Sequence, residues 1–231
     1  MKLLVATTNK HKLKEIRHIL GISIQGAGLK VKEDGKTFEE NAIKKARAVA
    51  TRFKEIAIAD DSGLMVNCLK GKPGVRSARF ASPPTPSNLC QKLLRVMRQR
   101  SRCANRQAKF VCVIAWARPD GRVRTFKGIV RGKIIHQMRG RHGFGYDPVF
   151  VPDGYNKTFA EMSPAFKNRI SHRARALKML KSHLRARSPD VPRSKSRRDS
   201  EESIGIPSEH RGNRDPDSRL RRDVGTQWAR G

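Results

Sequence analysis

The string AIADDSGL, residues 57–64, places Asp60 and Asp61 side by side at the end of an apolar run, in a chain with 20 Asp plus Glu against 51 Lys plus Arg. Two neighbouring acids suit phosphate chemistry that uses a metal. One supplies oxygen to a hard divalent cation, and the other orients and deprotonates a water. Side chains alternate along an extended chain, so in a strand the pair would point to opposite sides and only one could face a given cleft. Asp61-Ser62-Gly63 also makes an ordinary turn, but a turn leaves the second acid, on the apolar side, without a reason.

Three other polar segments have chemical potential. TTNKHK, residues 7–12, lies between an apolar run and an amphipathic one. There the amides of a helix N-terminus and the positive end of its dipole favour a phosphate, and Lys10 or Lys12 adds a point charge. The plainer account is a capped turn with solvated lysines. GFGYD, residues 143–147, holds an aromatic between two glycines, so the backbone can approach a ligand while the ring stacks on a base, or the ring simply joins a core. KNRISHR, residues 167–173, gathers Lys167, Ser171, His172 and Arg173, donors suited to an oxygen-rich ligand or to a solvated helix face.

The elements that must position these residues follow from periodicity. KLLVAT, residues 2–7, reads as a buried strand, followed by a helix capped by Thr8 or Asn9 with Leu13, Ile16 and Leu20 on one face. Thr37 to Glu40 is a capping box heading a helix with Ala42, Ile43, Ala46, Val49, Ala50 and Phe53 inward. IAIAD and LMVNC predict a hairpin about Asp61-Ser62-Gly63, and Thr85-Pro86 starts another helix. QAKFVCVIAWA and VRTFKGIVRG predict a longer hairpin joined at residues 119–122, and DPVFVP a strand. Ser163-Pro164 opens a helix with Phe166, Ile170, Leu177, Leu180 and Leu184 inward.

After Arg187 the periodicity stops. Residues 188–231 are rich in Ser, Pro and Arg and too poor in apolar residues to offset the entropy of ordering, which predicts a disordered tail behind an α/β domain of residues 1–187.

Taken together, the four polar segments and the strings TFEENA, PGVRSARF and GFGYDPVF resemble the inosine triphosphate pyrophosphatase family over about residues 1–185. The resemblance implies a two-lobed α/β fold with a long mixed sheet and a cleft between the lobes. It implies hydrolysis of non-standard purine nucleoside triphosphates such as ITP, dITP and XTP to monophosphate and pyrophosphate, with Mg²⁺, by a homodimer. Asp61 corresponds to the family's catalytic acid, with Glu40, Asp60 and Asp61 about the metal. Thr7, Thr8, Asn9, Lys10, His11 and Lys12 form the triphosphate loop, and Ser62 contacts the nucleotide. Phe144 stacks on the purine, with Gly145, Tyr146, Asp147, Lys167, His172 and Arg173 about the base and phosphates. Arg141-His142 stands before GFGYD where small residues are expected.

The bulk numbers narrow the alternatives. The formal net charge is +31, and residues 188–231 hold ten Lys/Arg against eight Asp/Glu, so +29 belongs to residues 1–187. That field attracts polyanions, so binding of nucleic acid through basic charge is the rival from another class; no RNP-like motif or zinc finger supports it. Cys68, Cys90, Cys103 and Cys112 have no metal-binding spacing, and three of the four sit in strand-like or helical apolar runs where a reduced thiol serves as a small core residue. No apolar run approaches the ~20 residues that span a bilayer, and the N-terminus does not read as a signal peptide. The expectation is a reduced, soluble, cytoplasmic protein.

Overall fold

The protein is described here by a computed structural model covering residues 3–186, so the segment 188–231 lies outside the described residues. Eleven elements follow in order: β1 (Leu3–Val5), α1 (Lys10–Leu20), β2 (Gln25–Gly26), α2 (Phe38–Phe53), β3 (Ile56–Val66), α3 (Pro86–Arg98), β4 (Gln107–Ala117), β5 (Val123–Ile134), β6 (Phe150–Pro152), α4 (Pro164–Ile170) and α5 (His172–Arg185). The strands form one mixed sheet in the order β2-β1-β3-β4-β5-β6, with β1 parallel to both neighbours and the remaining pairs antiparallel.

Alternation along the strands builds two cores, one on each face. Leu3, Val5, Ile58, Ile114 and Trp116 pack against Ile16 and Leu20 of α1 and Leu177 and Leu180 of α5. Leu4, Ala57, Ala59, Val113 and Ala115 pack against Ala42, Ala46, Val49 and Ala50 of α2. The far ends of β3, β4 and β5 run into a third cluster with Leu89 and Leu93 of α3, Phe150 and Phe159, which makes the second lobe.

Five expectations need correction. The hairpin at Asp61-Ser62-Gly63 does not form, because β3 pairs with β4 without interruption from Ala57↔Ala117 to Val66↔Ala108. Pairing along a whole neighbour outweighs a local turn preference. Gly63 serves close packing instead, since a Cβ there would overlap Ser77 Oγ, which accepts the Leu64 N–H at 2.9 Å. Phe53, expected inward, is 47% exposed at the end of α2. Of DPVFVP, Asp147–Val149 is a 3-10 turn and only Phe150–Pro152 is strand; Pro148 has no N–H to give a ladder.

The fourth correction concerns the thiols. Cys68 and Cys103 form a disulfide between the short 3-10 segments beside β3 and β4 in the second lobe, while Cys90 and Cys112 are buried and free. Both bridged residues belong to the second-lobe core, a proximity that a sequence separation of 35 does not reveal.

The stretch from Pro164 is two helices. Ser171 (φ −63, ψ 160) ends α4 and caps α5 by accepting the Ala174 N–H at 3.2 Å. The break sends Phe166 and Ile170 to the second-lobe core, Leu177 and Leu180 to the α1 side, and lets α5 begin directly on β5 at Gly128. Among the described residues no helix is long and apolar enough to cross a membrane.

Candidate active site

The chain leaves the sheet just after β1, and the Ala6 N–H to Ile58 carbonyl bond, 2.7 Å, is the last of the β1–β3 ladder. Beyond it, the β3 edge carrying Asp60, Asp61 and Ser62 faces the 7–12 loop. Asn9 caps α1, its Oδ1 accepting the N–H of His11 at 2.9 Å and of Lys12 at 3.1 Å, while Thr7 Oγ1 accepts the Asn9 N–H at 3.1 Å. The loop is thus held by its own side chains. Thr8, Lys10 and His11 are exposed, and Lys12 reaches back to β3.

Asp60 and Asp61 do point to opposite faces, and each enters a different charge network. Asp60 lies on the α1/α5 side. Its Oδ1 pairs with Lys12 and accepts from Ser62 Oγ at 3.0 Å; its Oδ2 accepts from Arg173 Nε at 2.9 Å and from the Cys112 thiol at 3.0 Å. Burial pushes the Asp60 carboxyl up, but Arg173 and Lys12 overturn this and hold it well below the usual carboxylate range. Burial also pushes the Cys112 thiol up, so it stays protonated and donates. Arg173 continues to Glu15 and to Ser62 Oγ at 3.0 Å, and Lys167 joins Glu15 at 3.0 Å to Asp147 at 2.6 Å. Three acids and three cations form one buried mesh, which satisfies charges that would be costly alone.

Asp61 lies on the α2 side. Lys45 Nζ meets its Oδ1 at 3.0 Å, and Asn41 Nδ2 stands 3.4 Å from its Oδ2, so the second oxygen is loosely held. Lys45 is also held by Glu33 at 2.7 Å and by the Asp60 carbonyl at 2.9 Å. Burial raises the Asp61 pKa, with Lys45 and Lys12 only partly offsetting it. A buried carboxylate with a raised pKa and one lightly held oxygen is suited to taking a proton. Glu40, next to Asn41, is exposed in the first turn of α2 and accepts the Lys36 N–H at 2.8 Å rather than closing the box on Thr37. Among the described residues no three His, Cys, Asp or Glu side chains are gathered as a ready metal site.

The residues expected about the base lie on one loop and on α4 and α5. Gly143 (φ 79) and Gly145 (φ 62) hold Phe144 in its loop, where its N–H donates to Asp147 Oδ2 at 2.8 Å. Lys167 Nζ lies 4.7 Å from the ring centre. Tyr146 is buried in the second-lobe core and donates to the Ser77 carbonyl at 3.0 Å, a structural position. His172 is buried and stacked on Phe110 at 4.7 Å, with Nδ1 lacking a hydrogen-bond partner. Burial, reinforced by Arg173 and Lys167, holds His172 well below its usual pKa, so the imidazole is neutral.

Reasoning from sequence missed Glu15, Glu33 and Lys45. Two of them left a signal: Glu15 stands one helical turn after Lys12, and Lys45 interrupts the apolar stripe of α2 between Ala42 and Ala46.

Comparison with known proteins extends the geometry. The model of the Ham1 family matches residues 3–183. A dITP/XTP pyrophosphatase of Desulforamulus reducens is 46% identical over 186 residues, covering 77% of this chain and 92% of that protein, and one of Aquifex aeolicus is 47% identical over 196 residues, covering 78% and 95%. Among solved structures, the Staphylococcus aureus Ham1 protein superposes with a TM-score of 0.73 at 37% identity, covering 81% of this chain and 100% of that one. A Coxiella burnetii HAM1 protein gives 0.74 at 36%, covering 80% and 99%. The match takes in the split acid pair, the capped loop before α1 and the aromatic loop alike, and the chain belongs to the Ham1 family.

Proposed function

We propose that this protein hydrolyses non-standard purine nucleoside triphosphates, of the ITP, dITP and XTP type, to the monophosphate and pyrophosphate. The observation that carries the reading is the division of labour at β3: one acid locked among cations, its neighbour loosely held and desolvated on the opposite face. Asp61 orients a water and takes its proton as the water oxygen bonds to the α-phosphorus. The bond from that phosphorus to the bridging oxygen breaks, and pyrophosphate leaves. Asp60 accepts no proton; it positions Lys12 and Arg173 beside the phosphate chain. Lys12 with the 7–12 loop binds the triphosphate, and Phe144 stacks on the base.

Mg²⁺ fits the residues present. That ion is held through one or two carboxylates plus substrate phosphates, so no protein cage of three ligands is required. Both oxygens of Asp60 are taken, which leaves Glu40 as the residue that would hold the ion directly and Asp61, whose Oδ2 stays free to take a proton, as one that would hold it through a water. When bound, the ion neutralises charge on the phosphate chain and lowers the barrier to attack.

Selectivity for a 6-keto purine rests on His172. Lys167 and Arg173 are committed to Asp147, Glu15 and Asp60, whereas the buried Nδ1 of a neutral His172 has no partner within the protein. A buried polar atom costs about 1–3 kcal/mol until a ligand supplies its partner. The reading also takes the protein to be a homodimer, on family likeness, and cytoplasmic, where its substrates arise.

The test is pyrophosphate release with Mg²⁺ over ITP, dITP, XTP, GTP and ATP. Preference for the first three supports the reading; ATP turned over as well as ITP would exclude the base-pocket assignment. Salt-sensitive binding to random DNA without turnover of any triphosphate would favour the nucleic-acid rival.

A further inference from the structure

The imidazole of His11 lies nearly parallel to the Phe144 ring, with centroids 5.4 Å apart and planes inclined by 22°. Both rings line one cavity of about 670 Å³, which also reaches Glu15 and Lys167. Phe144 is fixed by its two positive-φ glycines and by Asp147. His11 is fixed only through its backbone: its N–H is held by Asn9 in the first turn of α1, while its side chain is exposed. Of the two rings, the imidazole is the one free to move.

The spacing constrains what a base can do here. A 5.4 Å separation is that of two rings in direct offset contact, and a sandwich needs a further stacking layer between them. A purine that stacks on Phe144 must therefore displace His11, and the displaced ring has a flat aromatic surface to settle on, the outer face of the base.

We propose that His11 is the movable wall of the base slot, covering Phe144 in the empty site and stacking on the outer face of the bound purine. His11 lies between Asn9 and Lys12, so the same short segment would hold the triphosphate at one side and the base at the other. The proposal rests on Phe144 being the base platform. It makes a specific demand: every purine has a π-face, so the contribution of His11 is indifferent to the 6-substituent. It acts equally on ground state and transition state, which places it in KM, with base preference untouched.

The experiment is steady-state pyrophosphate release from ITP and XTP by wild type, His11→Ala, His11→Gln, His11→Phe and Phe144→Ala. Loss of one stacking ring is expected to raise KM roughly 5- to 150-fold in His11→Ala, with kcat/KM falling in proportion and the ITP to ATP ratio retained. His11→Phe should restore KM. His11→Gln, which keeps hydrogen bonding without a flat ring, should not. An unchanged or lowered KM in His11→Ala overturns the proposal, a lowered value showing that the imidazole only competes with the base. If Phe144→Ala leaves KM unchanged, the base platform itself is misplaced. If Phe144→Ala raises KM and His11→Ala does not, the platform stands and the movable wall falls.

Discussion

Asp61→Asn preserves shape and removes the basic oxygen, so kcat should fall by about two to four orders of magnitude, the span expected for a positioned general base. Because burial disfavours the ionised form of Asp61, the same change should leave the urea midpoint at pH 7 close to wild type. Turnover within a factor of about three, under 1 kcal/mol of barrier, would remove Asp61 from this role. Glu15 has the opposite sign. Burial raises its pKa, but Arg173 and Lys167 more than reverse this and leave it depressed. A depressed acid stabilises the fold fully above the ordinary Glu range and loses that contribution as pH falls through the folded value. Glu15→Gln should therefore cost about 3 kcal/mol at pH 7, as when one partner of a buried pair is removed. The gap should narrow as pH falls below the ordinary Glu range and close as wild-type Glu15 takes a proton at its depressed folded value. A gap in unfolding free energy that stays constant from pH 7 to pH 3 would contradict the mesh. At this scale the two faces of the doublet were legible from alternation. The partners were not, because Glu15, Glu33 and Lys45 are recruited from distant segments that no local pattern ties to β3.

β5 meets α5 at Gly128, where a Cβ would overlap the His172 carbonyl oxygen and sit 2.6 Å from the Ala176 nitrogen. Gly128→Ala must push the first turn of α5 off the sheet, carrying His172 and Arg173 with it. A stability loss of about 1–3 kcal/mol, the usual cost of overpacking, should come with weaker discrimination between ITP and ATP. A stable variant with intact selectivity would show that α5 can slide without moving the base contacts. The helices and the long β4–β5 hairpin were readable because periodicity and turn residues agree there. The break at Ser171 was only half readable: the polar run was visible, yet the apolar stripe continues on both sides because two different cores receive it. The hairpin at Asp61-Ser62-Gly63 misled because its turn residues are genuine and only pairing with β4 overrules them.

Across the whole molecule, relatives of 186 to 196 matched residues are nearly complete within 77–78% of this chain. Deleting residues 188–231 should therefore leave turnover and Tm nearly unchanged, and a fall of several degrees in Tm would show that the segment docks. The Cys68–Cys103 link closes a loop of 35 residues, so reduction or a double Cys→Ser change should cost about 3–4 kcal/mol on the loop-entropy account. Chemical unfolding with and without reductant measures this, and coincident curves would show that the bridge does not form in solution. The alternation of β3 has a further consequence for how such a chain can change over generations. Residues along the strand can be exchanged one at a time, but its length behaves like a reading frame. Losing a single residue between Ala57 and Asp60 would turn the locked acid toward Lys45 and the loosely held acid toward Arg173, reversing both environments with every functional residue still present. Losing two would restore the faces at the cost of a shift along the sheet. Substitution is thus an open route for this strand, and single insertions or deletions are closed to it.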